Sequence, residues 1–468
     1  MGMPWIQVAP GAPYFITEEG NAWTPIGQND AITWPDFAGL FRRKDMAAVE
    51  GHLAYLVEHG VTVLRFMLEY AQTENRYFEK PAGKFQPNMI KLWDDLFALC
   101  EKYGLRILLT PYDTFWMWIR WNHHPYNQAN GGPCRKRSQW LLCPETLKII
   151  KNRLSFVAER WGSSGALFAW DLWNEIHPAH AENNPEVFNE FVVELSTHLR
   201  EVELRLYGRT HLQTVSLFGP VLYEHPIVAD VIFRHPQLDF ATTHFYDAKT
   251  INHPKNTVAS AICTGALIRE ALEHLHQPKP FFDSEHGPIH AFKDLHKTLP
   301  APFDDEYFRH IQWAHFASGG AGGGMRWPNR HPHVLTYGMR EAQKNLNKFL
   351  PLLSWSFFKR KNLNHEIKIS SPALSGFACG DEHQALVWLL RKDKIEKNGL
   401  VSKVAEPVGF TISIPGLTSS RYLISYFDTI SGMVIHTEEV EKRGVEELAL
   451  TPPPIVADMA IAIRGDKV

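Results

Sequence analysis

The stretch LFAWDLWNEIHP, Leu167 to Pro178, is apolar enough to be a buried strand, yet it ends with an amide and a carboxylate side by side, Asn174 and Glu175, next to Trp173. A second carboxylate, Glu285, stands near the end of another apolar run, FFDSEHG, 110 residues further on. Two carboxyl groups in different surroundings can divide acid, base and nucleophilic work between them. Other strand-like runs end in the same fashion: Arg65 in VLRFML, Asp113 in TPYDTFW, His244 and Tyr246 in ATTHFY, and Trp327 in MRWPN. Reactive side chains recur at the ends of apolar runs, so some architecture must gather those ends.

From Arg43 onward two patterns alternate. RKDMAAVEGHLAYLVEHG carries apolar residues at helical spacing and stops at Gly60, and the β-branched run VTVLRFML follows. MIKLWDDLFALCEKYG with LRILLTPY, and CPETLKIIKNRLSFVAERWG with LFAWDLWNEI, repeat the pair. The alternation continues through LQTVSLFG, LDFATTHFY and PFFDSEHG to AGGGMRWPN, with YFITEEGNAWTPIGQN supplying the first strand region. Eight such units predict an α/β fold, a (β/α)8 barrel over residues 1–355. In such a barrel, function sits where the strands end, and three units of ~37 residues put Glu175 on strand four and Glu285 on strand seven, across the mouth from each other. After residue 355 the texture changes to about eight short strands without helices, among them ALVWLLRK, VGFTISIPG and ADMAIAIRG, which predict a small all-β sandwich over 356–468. ALVWLLRK reads as a half-buried strand, and the sandwich as a brace for the barrel.

Bulk properties narrow the classes. The 468 residues are 44% hydrophobic, enough for a large core, and the formal net charge of −3 gives no cationic footprint, RKR at 135–137 being too short to bind nucleic acid. Five scattered cysteines suggest neither a disulfide framework nor a zinc site. The amino terminus lacks a leader pattern and no stretch reaches the ~18 apolar residues of a membrane span. A cytoplasmic protein is expected, or a secreted one if a leader has been removed. No Gly-x-Gly-x-x-Gly follows the first strand, which argues against a dinucleotide site. Fifteen tryptophans within a 12% aromatic content suit flat platforms for sugar rings.

WNEI at strand four, HFY at strand six, SEHG at strand seven and RW at strand eight together resemble the retaining glycoside hydrolases of clan A, most nearly family 5. The resemblance covers roughly residues 14–350. It implies that Glu175 is the acid/base and Glu285 the nucleophile, that Asn174 binds the sugar 2-hydroxyl, that Arg65 and Tyr246 position Glu285, that His244 lies near Glu175, and that Trp327 floors the sugar next to the cleaved bond. A nucleophile must be ionised, which a neighbouring Arg and a phenol assist; an acid must keep its proton, which an apolar wall such as Trp173 and a nearby negative charge favour. Retaining enzymes hold their carboxyls ~5–5.5 Å apart and inverting ones ~6.5–9.5 Å.

Two departures stand out. Ile176 follows the acid/base where family 5 members usually have Pro, and strand three ends in Asp113 where they usually carry His; Asp113, or His123 and His124, would fill that space. Trp116, Trp118 and Trp121 in FWMWIRW are placed to line further subsites. No metal or organic cofactor is expected, because the carboxylate pair suffices for the chemistry, and no His-x-His of the kind metal-dependent barrel hydrolases need follows the first strand. The expected partner is a β-linked gluco- or manno-configured oligo- or polysaccharide, with no nucleic acid and no membrane; the oligomeric state is open. The rival readings are a non-catalytic sugar-binding barrel and a metal-dependent hydrolase on the same fold.

Overall fold

Eight parallel strands close on themselves: Gly27–Asp30, Val63–Met67, Arg106–Thr110, Leu167–Asp171, a fifth broken into Leu212–Thr214 and Ser216–Phe218, then Ala241–Phe245, Phe281–His286 and Met325–Arg326. The break at Val215 completes the ring. The first half of strand five pairs with strand four and the second with strand six, while strand eight pairs back onto strand one. The computed structural model describes residues 2–69, 77–181, 184–275, 277–289, 298–328, 330–331, 333–442 and 447–466.

Most barrel strands are buried on both faces, because helices cover the outside and side chains fill the inside. Their sequences are therefore continuous apolar runs with polar residues mainly toward the mouth. Helices Pro87–Tyr103, Pro144–Trp161 and Pro185–Tyr207 each begin with proline, whose missing N–H costs nothing in a first turn. Gly104 ends the first of them at φ 71°, a left-handed conformation that suits glycine. Gly27 is required for a different reason: a Cβ there would lie 1.7 Å from the Val63 carbonyl oxygen.

Of the segment read as the first strand, only Gly27–Asp30 enters the barrel. The preceding Phe15–Thr17 and Ala22–Trp23 pair with Ile6–Val8 as a small antiparallel sheet instead. Its Phe15 ring packs against Phe168, Phe240 and Phe282, plugging the end of the barrel opposite the mouth.

Beyond residue 360, a six-stranded antiparallel sheet (Lys361–Asn362, Leu374–Gly380, Gln384–Arg391, Asp458–Gly465, Arg421–Asp428, Met433–Glu441) faces a three-stranded one (Lys368–Ile369, Ile412–Ile414, Leu448–Leu450). The fold is thus a (β/α)8 barrel followed by a β-sandwich. Gln384–Arg391 is not half-buried as its alternation predicts, since all its residues are buried. Val387 and Leu389 face the sandwich core, whereas Leu386, Trp388 and Leu390 join the cluster formed with Trp313 and Phe349 of the barrel's helices. Arg309 on helix Ala301–Ala317 adds an ion pair to Asp458 at 2.6 Å. A strand pattern records which residues are apolar but not whether a second domain covers the other face.

Candidate active site

Asn174 and Glu175 lie just past strand four, in backbone stitched to both neighbours. The Asn174 N–H donates to the Tyr112 carbonyl at 2.8 Å, and the N–H groups of Glu175 and Ile176 donate to the Ser216 hydroxyl and carbonyl, each at 3.2 Å. These bonds hold Glu175 at φ 50°, a conformation that a residue with a Cβ rarely adopts and that surrounding contacts must impose. Glu285 is the fifth residue of strand seven, and its N–H donates to Asp283 at 3.1 Å.

Arg65, fully buried on strand two, organises the floor of the mouth. It donates to Glu285 at 2.9 Å, to Asp171 at 2.8 Å, to Asn29 at 2.8 Å and to the Asn174 side-chain Oδ1 at 2.5 Å. The Asn174 NH2 group donates to Asp113, so both ends of the amide are fixed and its donor side is oriented by Asp113. Tyr246 donates to the other Glu285 oxygen at 2.6 Å. His244 Nδ1 lies 2.7 Å from Glu175 and 3.7 Å from Glu285. Arg65→Met is expected to destabilise the fold by about 3–5 kcal/mol, because it leaves the buried Asp171 and Glu285 carboxylates without their cation; the measurement is the denaturant midpoint at unchanged m-value.

The two carboxyls differ in surroundings. Burial pushes Glu175 up to about 7, with Asp171 adding to the rise and Arg65 opposing it. Burial also raises Glu285, reinforced by Glu175 but opposed by His244, Arg65 and Tyr246. Both Glu285 oxygens accept from strong donors, so negative charge is better supported there than on Glu175. Burial drives His244 down to about 4, leaving a neutral ring.

A cavity of about 320 Å³ opens over these groups, lined by Asp113, Asn174, Glu175, Tyr246, Glu285 and Trp327, and also by Met67, Thr114, Phe115, Trp118, His177, Phe218 and Ile289. The structure therefore brings together Glu175, Glu285, Asn174, Arg65, His244, Tyr246, Asp113 and Trp327. Asp113 fills the space at the end of strand three. His124 instead faces Glu69, 3.7 Å away, and stacks on Trp121. Trp118 reaches the cavity, whereas Trp121 packs against Trp140; the side chain of Trp116 lies outside the described residues. Trp173 is not part of the cavity lining: it stacks on Tyr112 and bonds Thr114 at 2.8 Å within the outer core.

Sequence reasoning passed over Asn29 and Asp171, which clamp Arg65, and His177 and Phe218 in the lining. Asn29 stands toward the end of strand one in GQND, the same position that singled out the others. Asp171 sits inside an apolar strand, where a buried carboxylate demands a cation.

Among the described residues, Glu175, His244 and Glu285 are the acid and imidazole groups close enough to share a cation, with one atom of each within 4.8 Å of the others. Glu285 already accepts from Arg65 and Tyr246, and His244 Nδ1 is engaged by Glu175, so the donor set is poorly disposed to a metal. The five cysteines are all free. Among the described residues, no helix is long and apolar enough to cross a membrane.

No family model matches the sequence. Mannan endo-1,4-beta-mannosidase 1 of Oryza sativa subsp. japonica is 20% identical over 264 residues, 51% of this chain and 56% of that protein, so the chain spans little more than half the length of the curated relative it matches. Among solved structures, a glycoside hydrolase family 5 protein from Bacteroides vulgatus has a TM-score of 0.63 at 11% identity, covering 100% of this chain and 94% of that one. The family 5 mannosidase from Rhizomucor miehei has a TM-score of 0.53 at 16% identity, covering 75% and 98%. The endo-beta-1,4-mannanase from Thermotoga petrophila has 0.52 at 14%, covering 96% and 93%. The chain thus shares its fold with solved glycoside hydrolase family 5 proteins, over its whole length with the Bacteroides vulgatus structure, and its strand-end residues resemble that family.

Proposed function

We propose that this protein is a retaining glycoside hydrolase that cleaves short β-linked oligosaccharides, manno-configured ones first. The observation that carries the reading is the carboxyl pair: one oxygen of Glu175 and one of Glu285 lie within 4.8 Å of each other, close enough for both to reach one anomeric centre, which supports the closely spaced pair that retention uses. The manno preference rests on the relatives, one of which is named as a mannanase and two as mannosidases. The cavity, near the ~300 Å³ lower end of small-molecule sites, supports short substrates.

In the first step Glu285 attacks the anomeric carbon while Glu175 gives its proton to the departing oxygen, leaving a covalent glycosyl-enzyme. Glu175, now ionised, takes a proton from water, whose oxygen attacks the same carbon and releases Glu285. Arg65 and Tyr246 keep Glu285 ionised and aimed. Asn174, fixed by Arg65 and Asp113, offers an amide donor to the 2-hydroxyl. Trp327, held edge-on by Trp34 at 5.3 Å, presents its ring to the sugar.

Proton NMR of the first-formed product from a β-mannoside tests the mechanism. The β-anomer is expected before mutarotation, and an initial α-anomer would replace retention by inversion. EDTA is expected to leave the rate unchanged. A loss on chelation that returns with a divalent metal would favour the metal-dependent rival instead.

A further inference from the structure

Trp327 lies beside Glu285 and belongs to the side of the cavity where the bound sugar is attacked. The opposite side, around Glu175, has its own set of groups to which the mechanism above assigns nothing. Trp118, on helix Thr114–Ile119, and His177, two residues after the acid, both line the cavity and are both partly exposed. Their rings are 5.7 Å apart, and Arg137 lies over the Trp118 ring at 5.2 Å, covering one face of the indole and leaving the other for a ligand. His177 Nδ1 accepts the Ala179 N–H at 3.1 Å, so the neutral ring carries its proton on Nε2. Among the described residues nothing takes that proton as a hydrogen bond. The pair therefore offers one apolar ring face and one free N–H donor beside the group that protonates the leaving oxygen, a combination suited to a sugar ring with hydroxyls on its rim.

We propose that Trp118 and His177 form the subsite for the leaving-group sugar, Trp118 by stacking and His177 Nε2–H by bonding one of its hydroxyls. The inference rests on the reading of Glu175 as the acid. It makes the two residues determinants of what may depart, and of what sugar may enter in place of water when the glycosyl-enzyme is resolved.

The test compares two substrates on wild type, Trp118→Ala and His177→Ala: β-1,4-mannobiose, whose leaving group is a sugar, and β-mannosyl fluoride, whose leaving group is too small to reach the subsite. Each variant is expected to lose about tenfold in kcat/KM on mannobiose, mainly through KM, and less than about threefold on the fluoride. Trp118→Phe, which keeps a ring face, and His177→Gln, which keeps a donor, are expected to recover part of the loss. Equal losses on both substrates, or none on mannobiose, would overturn the subsite while leaving the hydrolase reading intact. A wild type that turns over neither substrate would overturn both.

Discussion

Glu285→Ala is expected to lower kcat on β-mannosides by about 10⁴-fold or more, because removing a covalent nucleophile disables a unit whose members act together. The variant should remain folded: Arg65 keeps Asp171 at 2.8 Å and Asn29 at 2.8 Å, and Tyr246 loses one acceptor at the edge of an open cavity. Alanine also leaves a space in which a small anion can take the place of the carboxylate. Azide is accordingly expected to restore part of the turnover and to appear in the product as an α-glycosyl azide, one displacement having replaced two. Wild-type rates in the variant would place the nucleophile elsewhere, and a β-azide would assign azide to the second step and Glu285 to the acid's role.

Glu175→Gln carries the second large effect. For substrates with a poor leaving group, kcat/KM is expected to fall by about 10²- to 10⁴-fold, the usual worth of a positioned general acid. Substrates with an activated leaving group need no proton to depart, so their first step should survive while the second slows. The pH profile separates this from simple damage. Burial holds Glu175 protonated up to about pH 7, and only the protonated form is an acid, so wild-type kcat/KM should be flat below that value and decline as pH rises through it. The decline should vanish in the variant. At the other end the rate should fall as pH drops and Glu285 takes up its proton, at a higher pH than for an ordinary carboxylate because burial raises that group too. A basic limb near pH 7 that persists in Glu175→Gln would belong to another residue. His244 is then a poor candidate, since burial keeps it neutral down to about pH 4.

The strand-four sequence already contains Glu175 and the amide beside it, and strand seven contains Glu285, because barrel topology maps strand ends onto one surface by a local rule. Period and punctuation are local as well. The run of apolar residues in Leu167–Asp171, the glycine after each of several helices and the switch to short strands beyond residue 355 are written in neighbouring residues, so the barrel and the sandwich could both be read without coordinates.

What the tertiary structure decided are the matters that depend on residues far apart in the chain. Which face of Gln384–Arg391 is wet depends on a barrel helix some 70 residues earlier, and the answer is neither. Whether Trp173 lines the cavity depends on its neighbours, and it stacks on Tyr112 in the core instead. The choice of Asp113 over His124 at the end of strand three was settled by Glu69, which holds the histidine elsewhere. Asp171, a carboxylate inside an apolar strand, was silent until Arg65 was found against it from a strand 106 residues away. The distance between Glu175 and Glu285, on which the stereochemistry turns, belongs to the same class. Sequence fixes residue types and their local spacing, whereas a separation of a few ångströms across a barrel mouth is set by how every strand between them packs.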